Sequence, residues 1–215
     1  MKIKWYGHSC FMITSENGTR ILIDPYKNML GYKLPEEIEA EIVATSHVHG
    51  DHNYIQAVKG SFVHINKTGS FLEHGIEIKG VETFHDKVSG AKRGKNIVYN
   101  FTIDGIKLCH CGDLGHTLSD DLVKEIGEVD ILLVPVGGGF TIDAADAVKV
   151  MHKLNPTVVI PMHYRTKALG PMGLAFAKVD KFLAASALQV KEYKELELNS
   201  TNIREYSGIA LMKYN

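Results

Sequence analysis

Apolar residues in the first quarter of the chain recur with period two. Ile3 and Trp5, Phe11 and Ile13, then Ile21 and Ile23 each skip one position, the spacing that puts side chains on one face of a β-strand. Glu16-Asn17-Gly18-Thr19 separates the second run from the third, and Asn-Gly at its centre predicts a hairpin. Asp24-Pro25 ends the third strand, and positions 28–35, with Gly31, read as a loop. Positions 41–45 form a short apolar, β-prone run, predicted as a buried strand, and Tyr54 to Val58 reads as the start of a helix behind it. Further strands are expected at 62–65 and 76–84, with a hairpin from 97–103 through Asp104-Gly105 to 106–111. Positions 87–95 are polar and basic with two glycines and read as a mobile loop.

After Gly112 the rhythm changes to alternating helix and strand. Ser119 is placed to cap a helix carrying Leu122, Val123 and Ile126 on one face, stopped near Gly127. A buried strand at 130–134 leads into Pro135 and the glycines at 137, 138 and 139. Asp143 is placed to cap a second helix, where Ala144, Ala147, Val148, Met151 and Leu154 keep helical spacing until Pro156. A strand at 157–160, a last helix at about 173–185 and a strand-like 208–212 complete the pattern. No internal repeat or low-complexity segment is evident. Two sheets with helices outside fit this order, an α/β (α+β) chain. Its 215 residues are enough for one domain, 1–215, with a sizeable core.

Composition narrows the classes. A net charge of −1 gives no bulk attraction to nucleic acid or another polyanion. Cys10, Cys109 and Cys111 cannot all pair within the chain, which favours a reducing compartment. Cys109-His110-Cys111 lacks a second cysteine pair for a thiolate zinc site and reads as small core residues on a strand. The N-terminus has no long apolar signal segment, and no apolar run approaches the roughly 20 residues needed to span a bilayer. The expectation is a cytoplasmic protein, with no membrane partner, that acts on a small molecule. A homo-oligomer is compatible with it.

Eleven histidines are many for this length, and their placement matters more than their number. Ser46-His47-Val48-His49-Gly50-Asp51-His52-Asn53 follows the predicted strand at 41–45 and carries four metal-capable side chains in six residues. Past a strand end, His47 and His49 can reach one side of a loop and share a cation, while Asp51 and His52 suit a second. Imidazole with carboxylate, and no thiolate, fits Zn, Mn or Fe with open positions for water. Three more candidates stand at predicted strand ends: His85, Asp113 and His163. Together they complete two sites.

The order His47-x-His49-x-Asp51-His52, then His85, Asp113 and His163, resembles the metallo-β-lactamase-fold superfamily. Tyr6-Gly7-His8-Ser9-Cys10-Phe11, Leu22-Ile23-Asp24-Pro25, Cys111-Gly112-Asp113-Leu114-Gly115, Pro135-Val136-Gly137-Gly138, Phe140-Thr141-Ile142-Asp143 and Ile160-Pro161-Met162-His163-Tyr164 resemble its ascorbate-6-phosphate-lactonase-like branch of metal-dependent hydrolases. The resemblance spans nearly the whole chain. It implies a four-layer αββα sandwich with metals at the sheet edge. It also implies that His47, His49 and His85 hold one ion, that Asp51, His52 and His163 hold the other, and that Asp113 bridges. His110 and His116 lie nearer Asp113 in sequence than His85 does. The alternation of the strand, however, turns His110 away from the site.

Two divalent ions, Zn first and Mn or Fe as alternatives, would make a hydroxide available at neutral pH to attack an ester carbonyl or a phosphorus. Asp51 would aim it. Lys92 and Arg93 after His85, and Tyr164 and Arg165 after His163, are candidate contacts for an anionic substrate such as a sugar-phosphate lactone. Each also reads as an ordinary loop or packing residue. Asp24 reads equally as a carboxylate orienting a ligand histidine or as a turn cap. His8 reads as a pocket-lining or supporting residue, or as a buried polar one. A phosphodiesterase is the competing enzyme, and a metal-binding or regulatory module without turnover the competing non-enzyme.

Overall fold

The structure, a computed structural model, describes residues 1–27 and 31–214, so positions 28–30 of the expected loop at 28–35 lie outside the described residues. Strands are numbered along the chain: β1 (Lys2–Trp5), β2 (Phe11–Thr14), β3 (Arg20–Ile23), β4 (Ile38–Glu39), β5 (Ile42–Ala44), β6 (Val58–Lys59), β7 (Val63–Ile65) and β8 (Gly69–Glu73). There follow β9 (Ile76–Phe84), β10 (Lys95–Ile103), β11 (Ile106–His110), helix α1 (Asp120–Ile126), β12 (Ile131–Pro135), α2 (Ala144–Leu154) and β13 (Val158–Met162). Helix α3 (Asp180–Ser186), β14 (Val190–Tyr193), β15 (Glu195–Glu197) and β16 (Gly208–Met212) close the chain.

Two sheets face each other. One runs β15-β1-β2-β3-β5-β7, and the other β14-β16-β13-β12-β11-β10-β9-β8. The period-two residues fill the space between them. Phe11, Ile13, Ile21, Ile23, Ile42 and Ala44 pack with Tyr99, Phe101, Leu108, Leu133 and Ile160 in the main core. The alternate residues Met12, Leu22 and Val43 point the other way, into a second apolar cluster with Tyr26, Tyr32, Leu34, Ile38 and Val58. The β2–β3 register pairs Met12 with Leu22 and Ile13 with Ile21. A one-residue slip would swap the two faces of β3.

The helices cover the outer face of the larger sheet, α1 against β9 and β10 and α2 against β12, with α3 packed on α2. Ser119 caps α1 by accepting from the Leu122 amide, and Asp143 caps α2 by accepting from the Asp146 amide. Over the smaller sheet the outer layer has no α-helix among the described residues. Where a helix was expected from Tyr54, a single 3-10 turn (Ile55–Ala57) gives way to β6, because Val58 pairs with Ile38 of β4. The expected helix at 173–185 also starts later, as α3. Pro171 and the left-handed Gly170 break the preceding 3-10 segment (Lys167–Ala175). Tertiary bonds hold the next residues extended: the Ala177 amide donates to Gly137 O at 2.7 Å and the Arg165 amide to Ala177 O at 2.9 Å. The expected mobile loop at 87–95 is instead a cinched turn. The buried Asp86 carboxylate accepts the amides of Val88, Gly90, Lys92 and Arg93 at 2.8–2.9 Å, which holds its pKa down at about 2 even though burial pushes the other way. No helix among the described residues is long and apolar enough to cross a membrane.

Candidate metal centre

Strand direction gathers the site. β3 and β5 pair in parallel, as do β11, β12 and β13. β1 and β9 each lie two antiparallel steps from a member of these sets and so point the same way. The residues just beyond the carboxyl ends of these strands therefore meet at one edge of the sandwich: His8 after β1, Asp24 after β3, His47 to His52 after β5, His85 after β9, Asp113 after β11 and His163 after β13. His8, Asp24 and His163 hold left-handed backbone, at φ 52°, 48° and 53°. Each such residue costs about 1–2 kcal/mol, so the surrounding packing must hold these turns.

Asp113 lies among four rings. Its Oδ1 is 3.2 Å from His52 Nε2, and its Oδ2 is 3.1 Å from His85 Nε2, 3.3 Å from His163 Nε2 and 3.9 Å from His47 Nε2. Two sets of imidazoles flank it. His47, His49 and His85 form one, and His8, His52 and His163 the other; within each set the ring nitrogens lie within 4.8 Å of one another. Asp51 stands at the mouth, with Oδ2 3.4 Å from His8 Nε2 and 4.0 Å from His52 Nε2.

A layer behind these groups fixes them. Asp24 is fully buried; its Oδ2 accepts from His52 Nδ1 at 2.9 Å and from Ser46 Oγ at 2.7 Å, and its Oδ1 from the Ser46 amide at 2.7 Å. The arrangement directs His52 Nε2 toward Asp113. Asn96 does the same for Asp113. Its Oδ1 accepts the Asp113 amide at 2.9 Å, while its Nδ2 donates to Thr83 Oγ1 and Cys111 O. Gly112 is required between them, because an added Cβ would lie 2.4 Å from Asn96 Oδ1. Gly137 is required as well, since its Cβ would lie 2.1 Å from His163 O.

The charges are set by this crowding. Burial, then the neighbouring His52, holds His47 down at about 3. Burial, then His163, holds His8 at about 4. Both rings are neutral at pH 7 and offer lone pairs. Burial also opposes charge on His52, but Asp113 and Asp24 on either side outweigh it and raise its pKa well above the ordinary value. Burial opposes ionisation of Asp113 too, yet His163 and His52 hold it far below the usual carboxylate range. Among the buried atoms here with no hydrogen-bond partner are Nε2 of His8, His47 and His52, and Oδ1 of Asp113. An unpaired buried polar atom costs about 1–3 kcal/mol. Several converging on one point, all nitrogen or carboxylate oxygen, fit borderline divalent cations.

The expected ligands His47, His49, His52, His85, Asp113 and His163 come together at this edge, with Asp51 at its rim. His8 lies deeper than a supporting role suggests, and Asp24 stands behind His52 as the orienting reading has it. His110 is buried behind Asp24, bonded to Ser9 O at 2.9 Å, and His116 accepts the Phe84 amide. Tyr164 is a correction to the substrate-contact reading: it is buried, its ring stacked on Trp5 at 5.6 Å. Arg165 lines a groove with Lys167, Gly170, Lys178 and Asp180. Lys92 gives Asp86 its backbone amide. Arg93 does too, and its guanidinium also lies 4.0 Å from the Phe140 ring centroid. Sequence reasoning missed Asn96, Ser46 and Phe176, whose ring lies edge-on to His163 at 5.0 Å. Asn96 left no distinctive signal, because β10 also carries Lys95, Asn100 and Thr102, and Asn96 differs from them only in being fully buried.

Sheet-on-sheet layering with imidazoles and a shared carboxylate at one edge defines the metallo-β-lactamase class. A sequence profile of the β-lactamase superfamily domain matches residues 2–163, and the chain belongs to that family. A UPF0173 metal-dependent hydrolase of Thermococcus onnurineus is 31% identical over 193 residues, covering 77% of this chain and 85% of the relative. A Thermotoga maritima structure, described as a candidate Zn-dependent hydrolase of the metallo-β-lactamase superfamily, is 40% identical over 98% of this chain and 97% of its own, with a TM-score of 0.81. At 14% identity and a TM-score of 0.64, a diiron β-hydroxylase from Streptomyces venezuelae shares the fold alone, across 99% of this chain and 52% of its own.

Proposed function

We propose that the protein is a dinuclear metal-dependent hydrolase acting on a small anionic ester or lactone, in the manner of the ascorbate-6-phosphate-lactonase-like branch. The observation that carries the reading is Asp113, a buried carboxylate within 3.9 Å of imidazole nitrogens from both histidine sets. His47, His49 and His85 would hold one ion, with His52, His163 and the Asp51 rim at the other and Asp113 between. Bound there, divalent cations supply Lewis acidity and bring proton loss from water close to neutral pH. Zn is the first choice for this donor set, and Mn or Fe also suit it.

The chain's own groups supply orientation. Burial opposes charge on Asp51, but His8 and His52 keep its carboxylate ionised far below the usual range. One-third exposed, it accepts a hydrogen bond from an incoming water and aims it. Phe176 lies against His163, and Phe140 lies edge-on to Phe176 at 6.0 Å. Together they form an apolar wall that ends at Arg93. The guanidinium there is placed to anchor a substrate anion some distance from the reacting bond.

The test is elemental analysis of purified protein, then assays with a generic phosphodiester and a panel of lactones, with Asp113→Ala as control. About two ions per chain and lactone turnover lost in the variant support the proposal. Faster phosphodiester turnover moves the reaction class to a phosphodiesterase. A protein that binds no transition metal under replete conditions overturns the ligand set.

A further inference from the structure

The β1–β2 turn carries a histidine that the two-by-three ligand motif does not use. His8 is 2% exposed and sits in left-handed backbone. Its carbonyl is held from two sides, by Trp5 Nε1 at 3.0 Å and by the His163 amide at 3.2 Å. This clamp fixes where the ring goes. The ring lies 4.2 Å from that of His163 and 4.9 Å from that of His52, centroid to centroid. Its Nε2 is buried and forms no hydrogen bond; the nearby Asp51 Oδ2, at 3.4 Å, does not complete one. His8, His52 and His163 present nitrogens within 4.8 Å of one another, a grouping of the same kind as His47, His49 and His85.

From this geometry we propose that His8 is a direct ligand of the second cation, its third imidazole beside His52 and His163. The proposal rests on the dinuclear reading above. It makes the two halves of the centre alike, three imidazoles each with Asp113 shared, and leaves Asp51 less needed as a ligand and freer to face water. A residue that only packed, or only steadied Asp51, would not need its nitrogen to point where two other ligands point. Three nitrogens at the second site also favour Zn, Co or Ni over Mn, which prefers oxygen donors.

The experiment compares wild type with His8→Ala and His8→Gln. Stoichiometry and affinity for Zn²⁺ and Co²⁺ are measured by equilibrium dialysis, and the visible spectrum of the Co²⁺ forms is recorded. Thermal midpoints of the chelated proteins check folding; His8→Gln keeps bulk and polarity if His8→Ala does not fold. The expected result is two ions in wild type, with the second weakened in both variants by more than the 10–100-fold typical of residues behind a ligand. The second-equivalent Co²⁺ band should change while the first stays as in wild type. Two ions at unchanged affinity and an unchanged spectrum in the variants overturn the ligand role and leave the dinuclear reading standing. A wild type that holds at most one ion overturns both.

Discussion

The two edges of this sandwich solve the same problem in opposite ways. At each, strands stop and leave polar groups without a ladder. At the edge where β3, β5 and β11 begin, the chain answers with its own partners. The Met1 amino group meets Leu198 O at 2.7 Å and Asp104 at 3.2 Å. Arg20 is bonded to Glu41 and Glu39, and Asp130 takes the Lys107 amide at 2.8 Å. At the opposite edge the side chains are more buried, yet Nε2 of His8, His47 and His52 and Oδ1 of Asp113 are left without partners. The first edge is finished by folding. The second is finished only by something the chain does not contain, and its donor set says that this is a cation. Stability and function are thus divided between the ends of the same strands.

The largest effect should come from Asp113→Ala. It removes the carboxylate shared by both imidazole sets, so metal content should fall below one ion per chain and turnover by more than about 100-fold, beyond the range for groups behind a ligand. A variant retaining two ions, by elemental analysis, would break the contrast between the edges. Chelation of wild type comes next. A single ion at 100 times its Kd stabilises by about 2.7 kcal/mol, so removing it should lower the thermal midpoint by roughly 5–10 °C for a chain of this size. Asp24→Asn should follow, with metal affinity down about 10–100-fold. Asn offers one acceptor oxygen where Asp24 accepts three bonds, and His52 loses its fixed orientation. Isothermal titration of the chelated variant would read this directly.

Much of the histidine edge was legible because strand ends and ligand types coincide. A hydrophobic run at 41–45 followed by His47-x-His49-x-Asp51-His52 needs no tertiary information to be read. Both helix caps were legible for the same local reason. Tertiary contacts decided the rest. Asp86 turns a polar, glycine-containing stretch into a tied loop through four backbone amides, which composition does not report. Tyr164 follows a ligand in sequence, yet its ring faces the core beside Trp5. His8 stands some forty residues from the motif it joins, on a turn whose backbone sequence alone does not set. The edge strands β8, β14 and β15 carry mixed polar patterns, which give a weak periodic signal.

The smallest predicted effect, and the sharpest control, is Arg20→Ala at the first edge. Arg20 binds Glu41 through two side-chain nitrogens and a backbone amide, at 2.7–3.2 Å. Both side chains are about one-third exposed, so the loss should be only about 0.5–1 kcal/mol. Metal content should not change, because no ligand or ligand support depends on this pair. The effect should also carry a pH signature. The Arg20 hydrogen bonds lower Glu41 from 4.5 to about 2. A carboxylate whose folded pKa is depressed contributes stability above its unfolded value, and that contribution fades as pH falls toward the folded one. Denaturant midpoints of wild type and variant should therefore differ by a constant amount above the unfolded value of 4.5 and converge only as pH is lowered through the folded value of about 2. A difference undiminished at pH 2 would mean that Arg20 acts other than through the Glu41 carboxylate, and a variant that lost metal would mean that the two edges are coupled through β3 and β5 rather than independent.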